Sequence, residues 1–293
     1  TATGISAGFA GVDTVIGSTI ATSDHLTGLN AIGAFDLGAL TYTSSGQTLS
    51  FSNFEILSGG NQADTFDLPG TLTFNLNGGG GNDTFTFYDT TNLTGQINGG
   101  PDSDTLDYSA NTINVTVNLA TGSATGLNGG AIGGFVNIEN FTGGTGTNNV
   151  FGDSGNNVLI GGPSNDNFYG SLGNDTYFFN DGWGQDNVFE YPGEGNDTLD
   201  FSGVTGTGVT FTFNGTVFTV TDTTNNVTTD NNVENFIGTS EADNFVFQNG
   251  AVVPGNVVGG GGNDTLEFSA YSSGRNFFLT ALGTQDGFKG TVT

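Results

Sequence analysis

Gly78 to Phe87 reads GGGGNDTFTF, and Gly259 to Phe268 reads GGGGNDTLEF, nearly the same ten residues again. Glycine is a poor strand former and aspartate no better, yet the chain returns to this combination along its whole length. A carboxylate followed two places on by a large apolar residue recurs at Asp13, Asp24, Glu55, Asp64, Asp83, Asp104, Glu139, Asp166, Asp175, Asp186, Asp197, Glu234, Asp243 and Asp264. Asn148 and Asn157 fill the same slot with an amide.

Spacing turns this list into an architecture. From Gly143 to Phe178 four nine-residue units run without a break: GGTGTNNVF, GDSGNNVLI, GGPSNDNFY and GSLGNDTYF. Steps of nine also separate Glu55 from Asp64, Glu139 from Asn148 and Glu234 from Asp243. Other steps are 11, 19 or 21, as if a turn had gained residues. So much glycine forbids a helix. Nine residues suit a turn plus a very short strand, with glycines at positive φ and the apolar residue facing inward. Two units make a coil of about 18 residues, and coils stack into a parallel sheet at ~4.8 Å per coil. The expected fold is all-β, one continuous solenoid over 1–293 with apolar ladders down its interior, because no unit buries its apolar face alone.

Composition narrows the function. The 293 residues hold 52 Gly, 29 Asp+Glu and only 2 Lys+Arg (Arg275 and Lys289), for a formal charge of −27. Nothing here neutralises phosphates, so no nucleic-acid partner is expected, nor unaided binding to anionic membranes or uronate polymers. The 26 Phe and 7 Tyr set the chain apart from disordered acidic sequences. No stretch approaches the apolar length of a membrane span. Cysteine is absent, which removes disulfides and thiolate metal sites. Methionine is absent too, even at position 1, so we expect a processed chain or a piece of a longer one.

An 18-residue coil stacks Asn148 near Asp166 and, on the opposite side, Asn157 near Asp175. Asp64, Asp83 and Asp104 form another column, and Asp243 with Asp264 another. Carboxylates ~5 Å apart repel, and nothing basic separates them. A hard cation removes that penalty. Glycine turns present carbonyls, and Ca²⁺ accepts about six to eight oxygens in flexible geometry. We therefore expect several Ca²⁺ ions, with Asp64, Asp83, Asp104, Asp166, Asp175, Asp186, Asp197, Asp243 and Asp264 supplying charge. Gly79, Gly81, Gly260 and Gly262 would free backbone carbonyls to turn toward the ion.

GGGGNDTFT (Gly78 to Thr86) and GGGGNDTLE (Gly259 to Glu267) resemble the G-G-x-G-x-D-x-apolar-x pattern of RTX, or haemolysin-type calcium-binding, repeats. The resemblance implies a right-handed parallel β-roll or β-helix with Ca²⁺ between successive turns, secreted and folded outside the cell. Other units depart from the pattern. GGPDSDTLD replaces the third glycine with Asp102, GGNQADTFD and GTSEADNFV lose that glycine, and Asn148 and Asn157 lack the charge.

A longer pattern overlies the short one. Blocks open at LTYT (Leu40), LDYS (Leu106), LDFS (Leu199) and LEFS (Leu266). The first three run through alternating Thr- and Val-rich stretches, expected as wider coils or hairpins, and close at FEIL, IENF or VENF. This gives modules at about 40–105, 106–198 and 199–265, with partial ones at 1–39 and 266–293. The tail opens a module that the head, where GFAGVDTVIGS resembles GFVNIENFTGG, would close. We expect either an excised repeat of a longer tandem chain or subunits stacked end to end.

His25 is expected as an exposed residue without a catalytic constellation, Trp183 as a packing residue, and Arg275 and Lys289 as isolated charges or local pairs. The leading expectation is a non-enzymatic, Ca²⁺-rigidified extracellular module of a bacterial surface adhesin, sheath or filament, its partner itself or a surface glycan. Two alternatives stand beside it: the RTX region of a secreted polysaccharide-modifying enzyme, or a Thr-rich glycan- or ice-binding face.

Overall fold

The structure, a computed structural model, describes residues 11–20, 23–131, 133–253, 255–272, 274, 277–282 and 288–292. Arg275 and residues 8–10 of the head stretch lie outside the described residues, as does the side chain of Lys289. The protein is an all-β parallel solenoid, with one three-residue 3₁₀ turn at Asn128–Gly130 among the described residues. Two compact units are present: residues 1–111 with 121–140, and residues 112–120 with 141–293.

In the first unit, strands Gly33–Asp36, Asp64–Leu68, Thr84–Phe87 and Thr105–Asp107 lie side by side in parallel. A second parallel row holds His25–Thr27, Ile56–Ser58, Asn75–Asn77, Ile97–Asn98 and Phe135–Val136. A short pair, Thr71–Leu72 with Asn92–Leu93, adds a third strand to two coils. Because strand residues alternate faces, the residue two after each acid points inward. Phe35, Phe66, Phe85 and Leu106 stack in register, all fully buried. The Phe35–Phe66 and Phe66–Phe85 ring centroids are 4.9 and 5.0 Å apart, close to the spacing between strands. Each such ring contributes about 1.5–3 kcal/mol by leaving water.

The second unit repeats the plan. Val158–Ile160, Thr176–Asn180, Thr198–Gly203, Asn235–Ile237 and Val257–Val258 form one parallel row. Val115–Asn118, Asn148–Phe151, Asn167–Tyr169, Gln185–Phe189 and Asn226–Asp230 form the facing row. Coil length follows turn length. Asn149 pairs with Asn167 and Val158 with Thr176, the 18-residue coil of the strict repeats. Thr176 pairs with Thr198 where the turn is longer.

Two of the Thr- and Val-rich stretches are antiparallel meanders inserted into the parallel rows. Thr210–Phe213, Val217–Thr221 and Asn226–Asp230 pair antiparallel in sequence order, as do Gly33–Asp36, Thr41–Ser44 and Gln47–Ser52. The third stretch is a wider coil, in which Val115–Asn118 joins the parallel row directly. One inward position is corrected. Leu266 is 57% exposed, because Thr265–Glu267 pairs with Asn244–Phe247 on one side and with no other described strand. Among the described residues no helix is long and apolar enough to cross a membrane.

Candidate metal centre

Each turn delivers its acid to the start of a strand, most often to the position just before it, where the side chain faces the coil interior rather than solvent. Asp64, Asp83, Asp104, Asp166, Asp175, Asp186, Asp197 and Asp243 are all buried. Their first task is to join coils. In the first unit the Asp64 N–H donates to Asp83 Oδ1 at 2.7 Å, the Asp83 N–H to Asp104 Oδ1 at 2.8 Å, and the Asp104 N–H to Glu139 Oε2 at 2.9 Å. In the second, Asp166 donates to Asp186 Oδ1 at 2.8 Å, Asp175 to Asp197 Oδ1 at 2.8 Å and Asp243 to Asp264 Oδ1 at 3.0 Å. The columns expected from spacing are therefore carboxylate-to-backbone ladders.

One oxygen per carboxylate serves the ladder, and the other is mostly left over. Oδ2 of Asp83, Asp104, Asp166, Asp175 and Asp186, and Oδ1 of Asp64, are buried without a hydrogen-bond partner. Such an oxygen is costly while charged. Burial pushes the Asp83, Asp166 and Asp175 carboxyls up to about 7 and Asp104 and Asp197 to about 6, against the lowering effect of the ladder N–H bonds. Burial raises Asp186 further, to about 9.

At Asp83 the leftover oxygen faces a backbone carbonyl. An ideal Cβ at Gly78 would overlap both Asp83 Oδ2 and the Gly99 carbonyl of the next coil. The Gly59 and Gly238 positions have the same shape, against Asp64 Oδ2 with the Gly78 carbonyl and Asp243 Oδ2 with the Gly259 carbonyl, but there the carboxylate oxygen already accepts an N–H, from Gly60 at 2.6 Å and Thr239 at 2.7 Å. The first turn position is thus a cradle of anionic and carbonyl oxygen that only the absence of a side chain keeps open. Hard oxygen donors with an unneutralised charge fit Ca²⁺.

The other predicted glycines have a second role. Gly79, Gly81, Gly260 and Gly262 all have positive φ, from 88 to 106°. A Cβ at Gly79 would overlap the Gly60 carbonyl, and one at Gly260 the Thr239 carbonyl. Those carbonyls are already engaged, by the Gly80 and Gly261 N–H groups at 3.0 Å each. Gly79 and Gly260 therefore let neighbouring coils approach, besides shaping the turn.

The predicted aspartates are not equivalent. Asp243 has both oxygens engaged, by the Val209 and Thr239 N–H groups at 2.7 Å each. Asp264, in one of the two complete repeats, is exposed. At Asn148 an amide stands in the acid's slot and brings its own donors. Its Nδ2 donates to the carbonyls of Gly146 and Gly161 at 2.9 and 2.8 Å and to Asp166 Oδ1 at 3.0 Å.

Sequence reasoning missed Glu190. It carries Pro192, not a large apolar residue, two places on, yet it is buried with Asp175 and Asp197. His25 has a partner that sequence did not suggest, the Ser58 hydroxyl 2.7 Å from its Nε2. Trp183 packs edge-on against Phe201, centroids 5.2 Å apart, and is 2% exposed.

The RTX calcium-binding nonapeptide repeat family (4 copies) matches residues 75–87, 142–177 and 256–268. No curated protein sequence matches the chain. The matched stretches contain Asp83, Asn148, Asn157, Asp166, Asp175 and Asp264. Asp64, Asp104, Asp186, Asp197 and Asp243 lie outside them but belong to the same kind of ladder. The chain carries RTX calcium-binding repeats, and Ca²⁺ is its cofactor.

Proposed function

We propose that this chain of RTX calcium-binding repeats is a calcium-stiffened, non-catalytic structural or adhesive module working outside the cell. The supporting observation is the set of buried carboxylate oxygens left without partners, at Asp64, Asp83, Asp104, Asp166, Asp175 and Asp186 among the repeat acids, in a chain whose 29 acids face 2 basic residues. Without ions the stacked turns repel and cost desolvation. Ca²⁺ supplies the missing positive charge, held by a leftover aspartate oxygen and turn carbonyls, and its binding free energy becomes folding free energy. Such a dependence suits a compartment rich in Ca²⁺, which is the basis for an extracellular location on a bacterial surface. The stacked coils then act as a stiff spacer in a filament, sheath or adhesin, joined end to end or in tandem. Surface glycans are a further partner.

Circular dichroism with and without chelator tests the reading. The β signal should collapse in EDTA and return with millimolar Ca²⁺, and electron micrographs of the Ca²⁺ form should show rods or filaments. An unchanged spectrum in EDTA overturns the calcium dependence. Discrete round particles at saturating Ca²⁺ overturn the structural role.

A further inference from the structure

Residues 190–197 read EYPGEGND, and the corresponding turn of the preceding coil, residues 170–175, reads GSLGND. The two turns end on stacked aspartates, Asp175 and Asp197. They begin differently: the longer turn has Glu190 where the shorter has Gly170. An ideal Cβ at Gly170 would overlap Glu190 Oε1, Asp175 Oδ2 and the Tyr177 hydroxyl. The glycine therefore makes room for a third carboxylate to enter the cradle from the next coil.

One oxygen from each of Asp175, Glu190 and Asp197 lies within 4.8 Å of the other two. All three residues are at most 1% exposed. The Tyr177 hydroxyl, itself buried, donates to Glu190 Oε1 and fixes that side chain. Glu190 Oε2 and Asp175 Oδ2 are buried with no partner. Three carboxylates in one dry pocket, two with an oxygen unsatisfied, demand a positive charge, and no Lys or Arg side chain is described in this unit to provide it.

We propose that Asp175, Glu190 and Asp197 form a three-carboxylate site for a hard, oxygen-seeking cation, of a different donor class from the repeat turns and the tightest in the chain. It rests on the reading of the chain as calcium-binding. An ordinary turn here offers a leftover aspartate oxygen with neutral carbonyls, as at Asp83 and Gly99. Affinity in oxygen sites rises with the number of charged ligands. Glu190 is a ligand and Tyr177 a positioning residue.

The test uses the full chain, titrated with Ca²⁺ by calorimetry and with Tb³⁺ while reading emission sensitised by tyrosine. The expected result is a first phase of one ion carrying Tb³⁺ emission. Glu190→Gln weakens that phase about 100-fold. Tyr177→Phe, which keeps the ring in the core, removes its emission and weakens it about tenfold. Asp83→Asn leaves the first phase intact and removes an ion from a weaker one. Far-UV circular dichroism at saturating Ca²⁺ should match wild type for each variant. Retention of the first phase at wild-type affinity in Glu190→Gln, with the weaker phases present, overturns this site alone. Absence of any Ca²⁺ binding overturns the calcium reading with it.

Discussion

The backbone N–H of Asp83 donates to Oδ1 of Asp104 in the next coil at 2.8 Å, while Oδ2 of Asp104 is buried with no partner. One carboxylate thus does two separable jobs. Its first oxygen is part of the backbone hydrogen-bond network that a coil cannot leave unmade. Its second is a charge that folding alone leaves unsatisfied.

Substitution at Asp104 separates the two jobs. Asp104→Asn keeps an oxygen acceptor for Asp83 and removes the buried charge, so its melting temperature in EDTA should rise while the gain on adding Ca²⁺ shrinks. Asp104→Ala strands the Asp83 N–H and should cost about 1–3 kcal/mol with or without Ca²⁺. Thermal melts in both conditions decide. Equal behaviour of the two variants in EDTA would show that the ladder bond carries no weight.

Asn148 makes the converse experiment possible. Its amide already satisfies two carbonyls and Asp166 Oδ1. Asn148→Asp removes those donors and places a second carboxylate beside Asp166. In EDTA the variant should be less stable than wild type by about 2 kcal/mol or more. At saturating Ca²⁺ calorimetry should count one additional ion. An unchanged ion count would mean that the amide does not stand in for a cation.

Much of this arrangement was legible because the repeat couples two chemistries at fixed spacing. An acid that closes the turn fixes the phase of the strand, so the residue two places on must face the interior, as Phe66, Phe85, Tyr177 and Leu199 do. The columns at Asp64, Asp83 and Asp104 followed from period alone. Three things were hidden. Alternation in VTFTFNGTVFTVTD fits a hairpin and a wide coil equally well, and only neighbouring coils decide between them. Glu190 lacks the apolar partner two places on, and its role depends on a turn lengthened enough to bring it over Gly170. Leu266 obeys the pattern, yet burial needs a strand on both sides.

The buried carboxyls set a pH dependence for the ion-free protein. Asp83, Asp166 and Asp175 sit at about 7 and Asp186 and Glu190 at about 9, all raised first by burial. An acid raised on folding binds its proton more tightly in the folded state. The stability this gives is full below the unfolded value near 4 and fades as pH rises through about 7 to 9. In EDTA the melting temperature should therefore fall steadily from pH 5 to pH 9. With saturating Ca²⁺, which holds the carboxylates ionised, the slope should flatten or reverse. A melting temperature in EDTA that rises over this range would contradict neutral, buried acids.

The cradle at the first turn position yields the sharpest structural prediction. Gly78 has no room for a methyl group, because Asp83 Oδ2 and the Gly99 carbonyl occupy the space. The Gly99 carbonyl accepts the Gly79 N–H at 3.2 Å, and Asp83 Oδ2 shares its carboxyl with the Oδ1 that accepts the Asp64 N–H, so moving either one disturbs the bonds between coils. Gly46 also turns with positive φ, at 76°, but nothing lies within 4 Å of where its Cβ would stand. Gly46→Ala should therefore cost only the backbone strain of about 1–2 kcal/mol, with Ca²⁺ binding unchanged. Gly78→Ala should cost more in Ca²⁺ than in EDTA, since the methyl both splits the coils and fills the ion's place. Measured by melting in the two conditions, the Gly78→Ala loss should depend on Ca²⁺ and the Gly46→Ala loss should not. An equal loss at Gly78 in both conditions would leave it a packing glycine with no part in holding the ion.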